Sequence, residues 1–198
     1  MTAERLARVL ERIDQLNQED PRTERAGGAV VPRELLYAQR VTEWVRRLNP
    51  RPSEALQIAA RGQHIRRWTI PRERYPLGRA GYLKWRETLK AFHARTVAGL
   101  MREAGYPEEA IRQVQRIMGK RHLADDADAQ TLEDALCLVF LATQYADLRR
   151  KAPEETMREV LRKTWGKMSP LARSEALKLP LGEEEGALLR RALGGQAV

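Results

Sequence analysis

Three side chains in the sequence have the chemistry of metal ligands, although they lie far apart along the chain. His64 and His93 are separated by 29 residues, and Asp134 follows His93 by 41 residues. Two imidazoles and a carboxylate can form an open site for a divalent ion such as Mn, Fe, Mg or Zn, which activates water and binds phosphoryl oxygen. These spacings match no local ligand motif, and the alternative for Asp134 is a helix cap or a pair with an arginine. No organic cofactor is indicated.

An excess of basic residues surrounds the two histidines. Between Arg61 and Arg102 there are eleven Lys or Arg and two acids, and the difference of +9 equals the formal net charge of the whole chain. Guanidinium groups bind phosphate oxygens through paired hydrogen bonds, so an anionic, phosphorylated small molecule is the expected ligand. The alternative is a solvated helix face whose charges pair with nearby acids. The candidate phosphate-binding residues are Arg61, Arg67, Arg72, Arg79 and Arg86.

Further side chains near this stretch are assigned supporting roles. Glu133 and Lys120 are candidates for moving protons during catalysis, and Trp68 is the candidate ring for stacking on a ligand. Lys120 and His122 precede an acidic turn and could also contact phosphate. For these two residues the competing interpretation is a favourable interaction with the C-terminal end of a helix.

The elements that position these residues are predicted to be helices, because apolar residues recur at helical spacing through most of the chain. We expect an all-α, single-domain helical bundle of about seven to nine helices over residues 1–198. Its core covers about residues 33–165, with an N-terminal helix over 3–17 and C-terminal helices over 170–194 packing on it.

Capping and breaking residues set the predicted boundaries. Ser53 is expected to cap a helix that runs to about Trp68, and the next helix is expected over 81–104. Ser169, followed by Pro170, is expected to cap a later helix. Residues 129–149 are expected to form one helix that is apolar nearly all round and therefore belongs in the core. Residues 19–32, which contain two prolines and two glycines, are predicted to be an irregular loop, and no segment shows the alternation typical of a strand.

Composition narrows the class of protein. The chain has one cysteine, Cys137, so neither a disulfide framework nor a thiolate zinc cluster is expected, and a reducing cytoplasm is the predicted location. Charged residues are mixed among the apolar residues of the first helix, which is unlike a secretory signal or a membrane span. A membrane partner is not expected.

Several runs of the sequence resemble the family described as domain of unknown function 4202. The similarity covers nearly the whole chain, and it implies a soluble protein without supplying an activity. The runs that carry it are Gln63 to Arg72, Tyr75 to Arg86, Phe92 to Ala94, Leu132 to Ala135, Cys137 to Leu141, Lys163 to Trp165 and Lys167 to Pro170.

A more distant similarity is to the HD-domain phosphohydrolases. That pattern places a histidine on one helix, a His-Asp pair on a later helix and an aspartate on another, and His64, His93 and Asp134 follow this order. The resemblance implies an HD-like helical fold and a metal-dependent phosphohydrolase acting on a nucleotide or another phosphorylated compound. Ala94 stands where the HD pattern has the paired aspartate, which argues against a site for two metals.

Two other classes of function remain open. The first is a non-catalytic helical protein that binds nucleic acid, such as RNA or tRNA, through the surface of residues 61–102. The histidines and Asp134 lie among apolar neighbours and would add nothing to backbone binding, which favours a pocket. The second is a structural or partner-binding protein that docks through the helix at residues 183–191.

Overall fold

The computed structural model describes residues 2–120 and 125–194 and confirms the all-α prediction. Within these residues there are ten α-helices and one short β-hairpin. The helices are α1 (Thr2–Gln18), α2 (Arg33–Leu48), α3 (Glu54–Gly62), α4 (Gly78–Glu103), α5 (Glu108–Gly119), α6 (Ala127–Thr143), α7 (Tyr145–Lys151), α8 (Glu154–Trp165), α9 (Pro170–Leu177) and α10 (Glu183–Ala192).

The stretch between α1 and α2 was predicted to be an irregular loop, but it contains a β-hairpin. Strands β1 (Thr23–Ala26) and β2 (Ala29–Pro32) pair antiparallel, with Thr23 opposite Pro32 and Ala26 opposite Ala29. Gly27 and Gly28 both have positive φ, at 56° and 82°, and form the two-residue turn between the strands. Two consecutive glycines favour a tight hairpin turn because neither carries a Cβ. The two glycines therefore connect two strands, and the prediction that residues 19–32 contain no strand is wrong.

The described residues form two compact units, divided between Leu132 and Glu133. In the first unit α3 packs against α1, α2, α4 and α5, and α1 also packs against α2 and α4. The approach of α3 to α4 is close at Gly62, where a Cβ would lie 2.4 Å from a methyl group of Val97. That residues 1–198 form a single domain stays a prediction.

Helix α3 begins as predicted and ends earlier than predicted. The Ser53 hydroxyl accepts a hydrogen bond from the Leu56 amide at 3.0 Å, which confirms Ser53 as the N-cap. The helix stops at Gly62, however, and the predicted extension to Trp68 is wrong. The chain then turns through Arg66, which has the left-handed φ of 51°, and enters a 3-10 turn over Arg67–Thr69.

Helix α4 is the longest helix of the first unit and carries His93. It begins at Gly78, three residues before the predicted start, and Gly105, with φ at 79°, follows its end. Near its start Gly81 lies directly against the preceding loop, because a Cβ at this position would be 1.9 Å from the carbonyl oxygen of Pro76. This contact fixes the loop of residues 71–77 to the first turn of the helix.

In the second unit the predicted helix over 129–149 is interrupted. Helix α6 ends at Thr143, and α7 begins after Gln144. The Tyr145 hydroxyl donates to the carbonyl of Glu185 at 3.0 Å, and α10 packs against α7 and α8. Ser169 caps α9 as predicted, accepting a hydrogen bond from Ala172.

No helix in the described ranges has both the length and the apolar character needed to cross a membrane.

Candidate functional site

A group of buried and partly buried charged side chains and imidazoles lies in the first unit, centred on Glu34 near the start of α2. Glu34 is only 2 % exposed, because it continues the buried stripe of Ala38, Val41 and Val45 by one turn toward the N-terminus. Its two carboxylate oxygens have different partners. One accepts from the Arg22 guanidinium at 2.8 Å, and the other accepts from His64 Nδ1 at 3.2 Å.

Asp20 joins the end of α1 to this carboxylate. Its Oδ1 atom accepts from the Arg22 amide and from Arg22 Nε, both at 3.0 Å. Its Oδ2 atom accepts from the Glu34 amide at 3.1 Å, so Asp20 satisfies a free backbone donor in the first turn of α2. Asp20, Arg22 and Glu34 therefore hold the hairpin against the N-terminus of α2.

His64 lies in the turn that follows α3. Its ring stacks on Tyr37 with the centroids 4.0 Å apart and the planes within 8° of parallel. The rings of His64 and His93 have centroids 5.9 Å apart. The structure therefore brings together two of the three side chains that the sequence predicts as metal ligands.

His93 presents an unused nitrogen to the interior. Its Nδ1 lies 2.9 Å from the carbonyl oxygen of Ile65, and because a carbonyl only accepts, Nδ1 must carry the proton. The Nε2 atom of the neutral ring is then a lone-pair acceptor. It is buried and has no hydrogen-bond partner within the part of the chain that the structure describes.

Burial and nearby charges fix the protonation of these groups. Burial lowers the pKa of His64 to about 4, helped by the positive charges of Arg67 and Lys120 and opposed by the hydrogen bond to Glu34. Burial also lowers the pKa of His93 to about 3. Burial alone would raise the pKa of Glu34, but its hydrogen bond to His64 and the two arginines outweigh it and hold that pKa at about 2. At neutral pH the imidazoles are uncharged and Glu34 is ionised.

Arg67 borders the same group of residues. Its guanidinium is 4.0 Å from Glu34, and it lies over the Trp85 ring at 4.9 Å from the centroid. The Trp85 indole donates to the carbonyl of Ile70 at 2.9 Å, which fixes the ring beneath Arg67. We name the inner cluster as Asp20, Arg22, Glu34, His64, Arg67 and His93.

Lys120 and Trp68, two of the supporting candidates, are found at different places. Lys120 follows α5 in a left-handed conformation with φ at 48°, and its charge acts on His64, so it belongs to the surroundings of the inner cluster. Trp68 is half-buried in the 3-10 turn after Arg67, and Trp85 is the ring beneath the guanidinium. His122, the other predicted phosphate contact, lies outside the described residues.

Two of the predicted phosphate-binding arginines are held by the protein itself. Arg61 makes a two-pronged ion pair with Asp14, with nitrogen–oxygen distances of 2.5 and 2.6 Å. Arg72 donates to the carbonyls of Tyr75 and Pro76 at 2.8 Å and so closes its own loop. Both guanidiniums serve the fold in this structure.

Arg79 and Arg86 lie on the exposed side of α4. Arg86 donates to the Tyr82 hydroxyl at 3.1 Å, and Arg79 has no side-chain partner within the described ranges. Neither contacts a residue of the inner cluster. Among the five predicted arginines, only Arg67 belongs to that cluster.

The predicted carboxylates Glu133 and Asp134 belong to the second unit. Asp134 is buried, and its Oδ1 accepts from the Ser169 amide at 2.8 Å. Glu133 lies 3.2 Å from the Lys167 ammonium. Both residues therefore contact the segment that leads into α9. Within residues 2–120 and 125–194 no three His, Cys, Asp or Glu side chains are grouped so that they could hold a metal ion.

The sequence interpretation missed Asp20, Arg22 and Glu34. One signal was available for Glu34, because it stands four, seven and eleven residues before apolar positions on the buried face of α2. An acid on such a stripe needs a buried partner. Asp20 and Arg22 gave no comparable signal, since their roles depend on the hairpin that brings them to α2.

Comparison with known proteins identifies the family. No match was found among curated proteins or among solved structures. The model of the family described as "Domain of unknown function (DUF4202)" matches residues 7–189, which includes the inner cluster and most of both units. The chain therefore belongs to the DUF4202 family.

Proposed function

We propose that this protein is a metal-dependent phosphohydrolase that acts on a phosphorylated small molecule and uses His64 and His93 as nitrogen ligands. The supporting observation is that the two imidazoles, whose ring centroids are 5.9 Å apart, make the same kind of contact through Nδ1. Each directs Nδ1 to an oxygen acceptor, the carboxylate of Glu34 or the carbonyl of Ile65, and each keeps a lone pair on Nε2. Metal-binding histidines are usually oriented by such contacts at their second nitrogen.

The charges of the inner cluster suit the binding of a divalent metal ion together with an anionic ligand. Within the inner cluster two carboxylates, Asp20 and Glu34, balance two guanidiniums, Arg22 and Arg67. A divalent ion on the neutral imidazoles would leave an excess of positive charge, which an anionic ligand would neutralise. Hydrolysis of a phosphoester is the reaction class that uses both partners.

Each residue of the cluster has a defined part in this proposal. Glu34 holds His64 in one tautomer, and the Ile65 carbonyl does the same for His93. Arg67, whose side chain is 28 % exposed and borders both histidines' surroundings through Glu34, is the cation that we assign to a phosphoryl group. When bound, the ion supplies Lewis-acid activation of water and of a phosphoryl oxygen. Asp134 as a third ligand and Glu133 as a proton carrier stay predictions from the sequence.

Metal content and activity test the proposal together. Protein purified without chelator is expected to contain close to one Mn, Fe or Zn per chain, or to take up Mn²⁺ or Mg²⁺ on addition. It should then release phosphate from members of a nucleotide and sugar-phosphate panel. His93→Ala and His64→Ala should remove both properties, and Asp134→Ala tests the third ligand by the same assays.

A graded variant separates a metal site from a merely structural cluster. Glu34→Gln keeps the shape of the side chain but weakens the acceptor for His64, so metal affinity should fall roughly 10- to 100-fold. Glu43→Gln, at an exposed position of the same helix, is the matched control. Equal metal content in wild type, His64→Ala and His93→Ala would overturn the proposal.

A further inference from the structure

The structure divides the basic stretch of residues 61–102 into two sets. The first set is used within the protein: Arg61 pairs with Asp14, Arg66 lies 3.6 Å from Glu19, and Arg67 lies near Glu34. Arg102 pairs with Glu108, and Arg72 binds backbone carbonyls. The second set has no acidic partner within the described residues and consists of Arg74, Arg79, Lys84, Arg86, Lys90 and Arg95.

Three of these cations share one face of α4. Arg79, Arg86 and Lys90 are spaced seven and four residues apart, and this spacing places them along a single stripe of a helix. Leu83 falls within the stripe, and Tyr82 lies beside it; these two side chains are 51 % and 42 % exposed. We name these five residues the outer basic surface. At a rise of 1.5 Å per residue the stripe is about 16 Å long.

An exposed aromatic ring stands beside the cations. The Tyr82 ring lies 5.8 Å from the Arg86 guanidinium, and its hydroxyl accepts a hydrogen bond from the same group. On an exposed ring beside a basic stripe, unpaired bases can stack while the cations contact the phosphates. Glu87 is the only acid on the first three turns of α4, and Asp125 and Asp126 line the same cavity as Lys90 at one end of the stripe.

We propose that the outer basic surface binds single-stranded nucleic acid, with RNA as the test ligand, without sequence preference. An anionic membrane is a weaker fit, because an interfacial helix needs a continuous apolar face and here Leu83 lies between Arg79 and Arg86. The surface is distinct from the inner cluster, so this binding does not depend on the proposed phosphohydrolase activity.

A salt titration with a fluorescein-labelled oligouridylate tests the proposal. Each phosphate contact on a single strand contributes about −0.7 to the slope of log affinity against log salt, so three contacts, one for each cation of the surface, give about −2. Affinity should therefore fall roughly 20-fold between about 50 and 200 mM salt. A slope near zero would overturn the proposal.

Charge-reversal variants locate the binding. The triple variant R79E/R86E/K90E should bind the oligouridylate at least about tenfold more weakly than wild type, since phosphate contacts dominate the affinity. R8E/R46E/R51E is the matched control, because it changes the net charge equally at three exposed positions. Equal loss in both variants would mean that the surface has no specific role. Circular dichroism and thermal melting verify that both variants are folded.

Two further measurements separate the alternatives. His64→Ala and His93→Ala should keep the affinity for the oligouridylate even if they lose metal, because neither residue lies on the outer basic surface. Vesicles that contain anionic lipid provide the second comparison. Binding to such vesicles, with no binding to the oligouridylate, would replace nucleic acid by a membrane surface and overturn the proposal.

Discussion

The inner cluster and the outer basic surface use the same residue types in opposite ways. In the inner cluster each guanidinium has a carboxylate partner, and the imidazoles are oriented by oxygen acceptors. On the outer basic surface the cations have no acidic partner among the described residues. A high net charge in one stretch of sequence therefore does not define one site. Burial and pairing decide which cations stabilise the fold and which can bind a partner.

The largest effect that we expect from a single substitution is a loss of stability at Glu34. Glu34→Ala removes the carboxylate shared by Arg22, Arg67 and His64, which takes an acceptor from His64 and Arg67 while Arg22 keeps Asp20. The arginines are partly exposed, so we expect a loss of about 2 to 3 kcal/mol in the free energy of unfolding. Urea denaturation measures this loss. Glu43→Ala, at an exposed position of the same helix, is expected to change stability by less than about 0.5 kcal/mol.

Acid should destabilise the inner cluster selectively in the metal-free protein. The pKa values of His64 and His93 are lowered to about 4 and about 3, from the ordinary value of 6.5. Below pH 6.5 the unfolded chain therefore binds protons that the folded chain does not, and stability falls as the pH drops. Between pH 7 and pH 5 we expect each of the two histidines to contribute a loss of about 2 kcal/mol.

His93→Gln is the control for this pH dependence. The variant removes one of the two titrating groups, so its stability should fall less steeply between pH 7 and pH 5 than that of wild type. The pKa of Glu34, held at about 2, adds a further loss only below its ordinary value of 4.5. Wild-type stability that is constant from pH 7 to pH 5 would contradict the assignment of neutral, buried imidazoles.

Arg61 sharpens the comparison, because it was predicted to bind phosphate and is found in an ion pair. Arg61→Ala breaks the two-pronged contact with Asp14, in which both side chains are partly buried. We expect a loss of about 1 kcal/mol in the free energy of unfolding, with little effect on affinity for the oligouridylate. Arg61→Lys should recover only part of this loss, since an ammonium cannot make the paired contact.

Single substitutions on the outer basic surface should give the smallest stability effects. Arg79→Ala and Arg86→Ala remove exposed side chains that have no acidic partner among the described residues, so each should change stability by less than about 0.5 kcal/mol. Each should nevertheless lower the affinity for the oligouridylate and flatten its salt dependence by one contact. A stability loss as large as that of Arg61→Ala would show that these arginines belong to the fold.

Much of the fold followed from local sequence signals. Ser53 and Ser169 cap helices as predicted, because a serine before an apolar periodic run satisfies free amides of the first turn. The hairpin was missed since its strands are only four residues long and one of them carries three polar residues. The early end of α3 depends on the left-handed Arg66, whose amide donates to Asn17. A contact between distant residues leaves no local signal.

The candidate site was predictable only in part, because some of its residues are brought together by contacts that leave no local sequence signal. His64 and His93 stand out by residue type, and their proximity agrees with helices that pack in sequence order. The partner of His64 is Glu34, which is 30 residues away and comes from a helix that was assigned no site residue. Basic residues were too numerous for sequence reasoning to separate Arg67 from Arg61 or Arg79. That separation needed the acids contributed by other elements.

Because the two oxygens of the Glu34 carboxylate have different partners, substitutions at these positions should be coupled in evolution. One oxygen is committed to Arg22 from the hairpin and the other to His64 from the turn after α3, while Asp20 holds the Glu34 amide. A change at any one position leaves the remaining groups unbalanced, so tolerated changes must occur in combination. We expect positions 20, 22, 34 and 64 to covary among family members, with an apolar residue at 34 accompanied by loss of the guanidinium at 22.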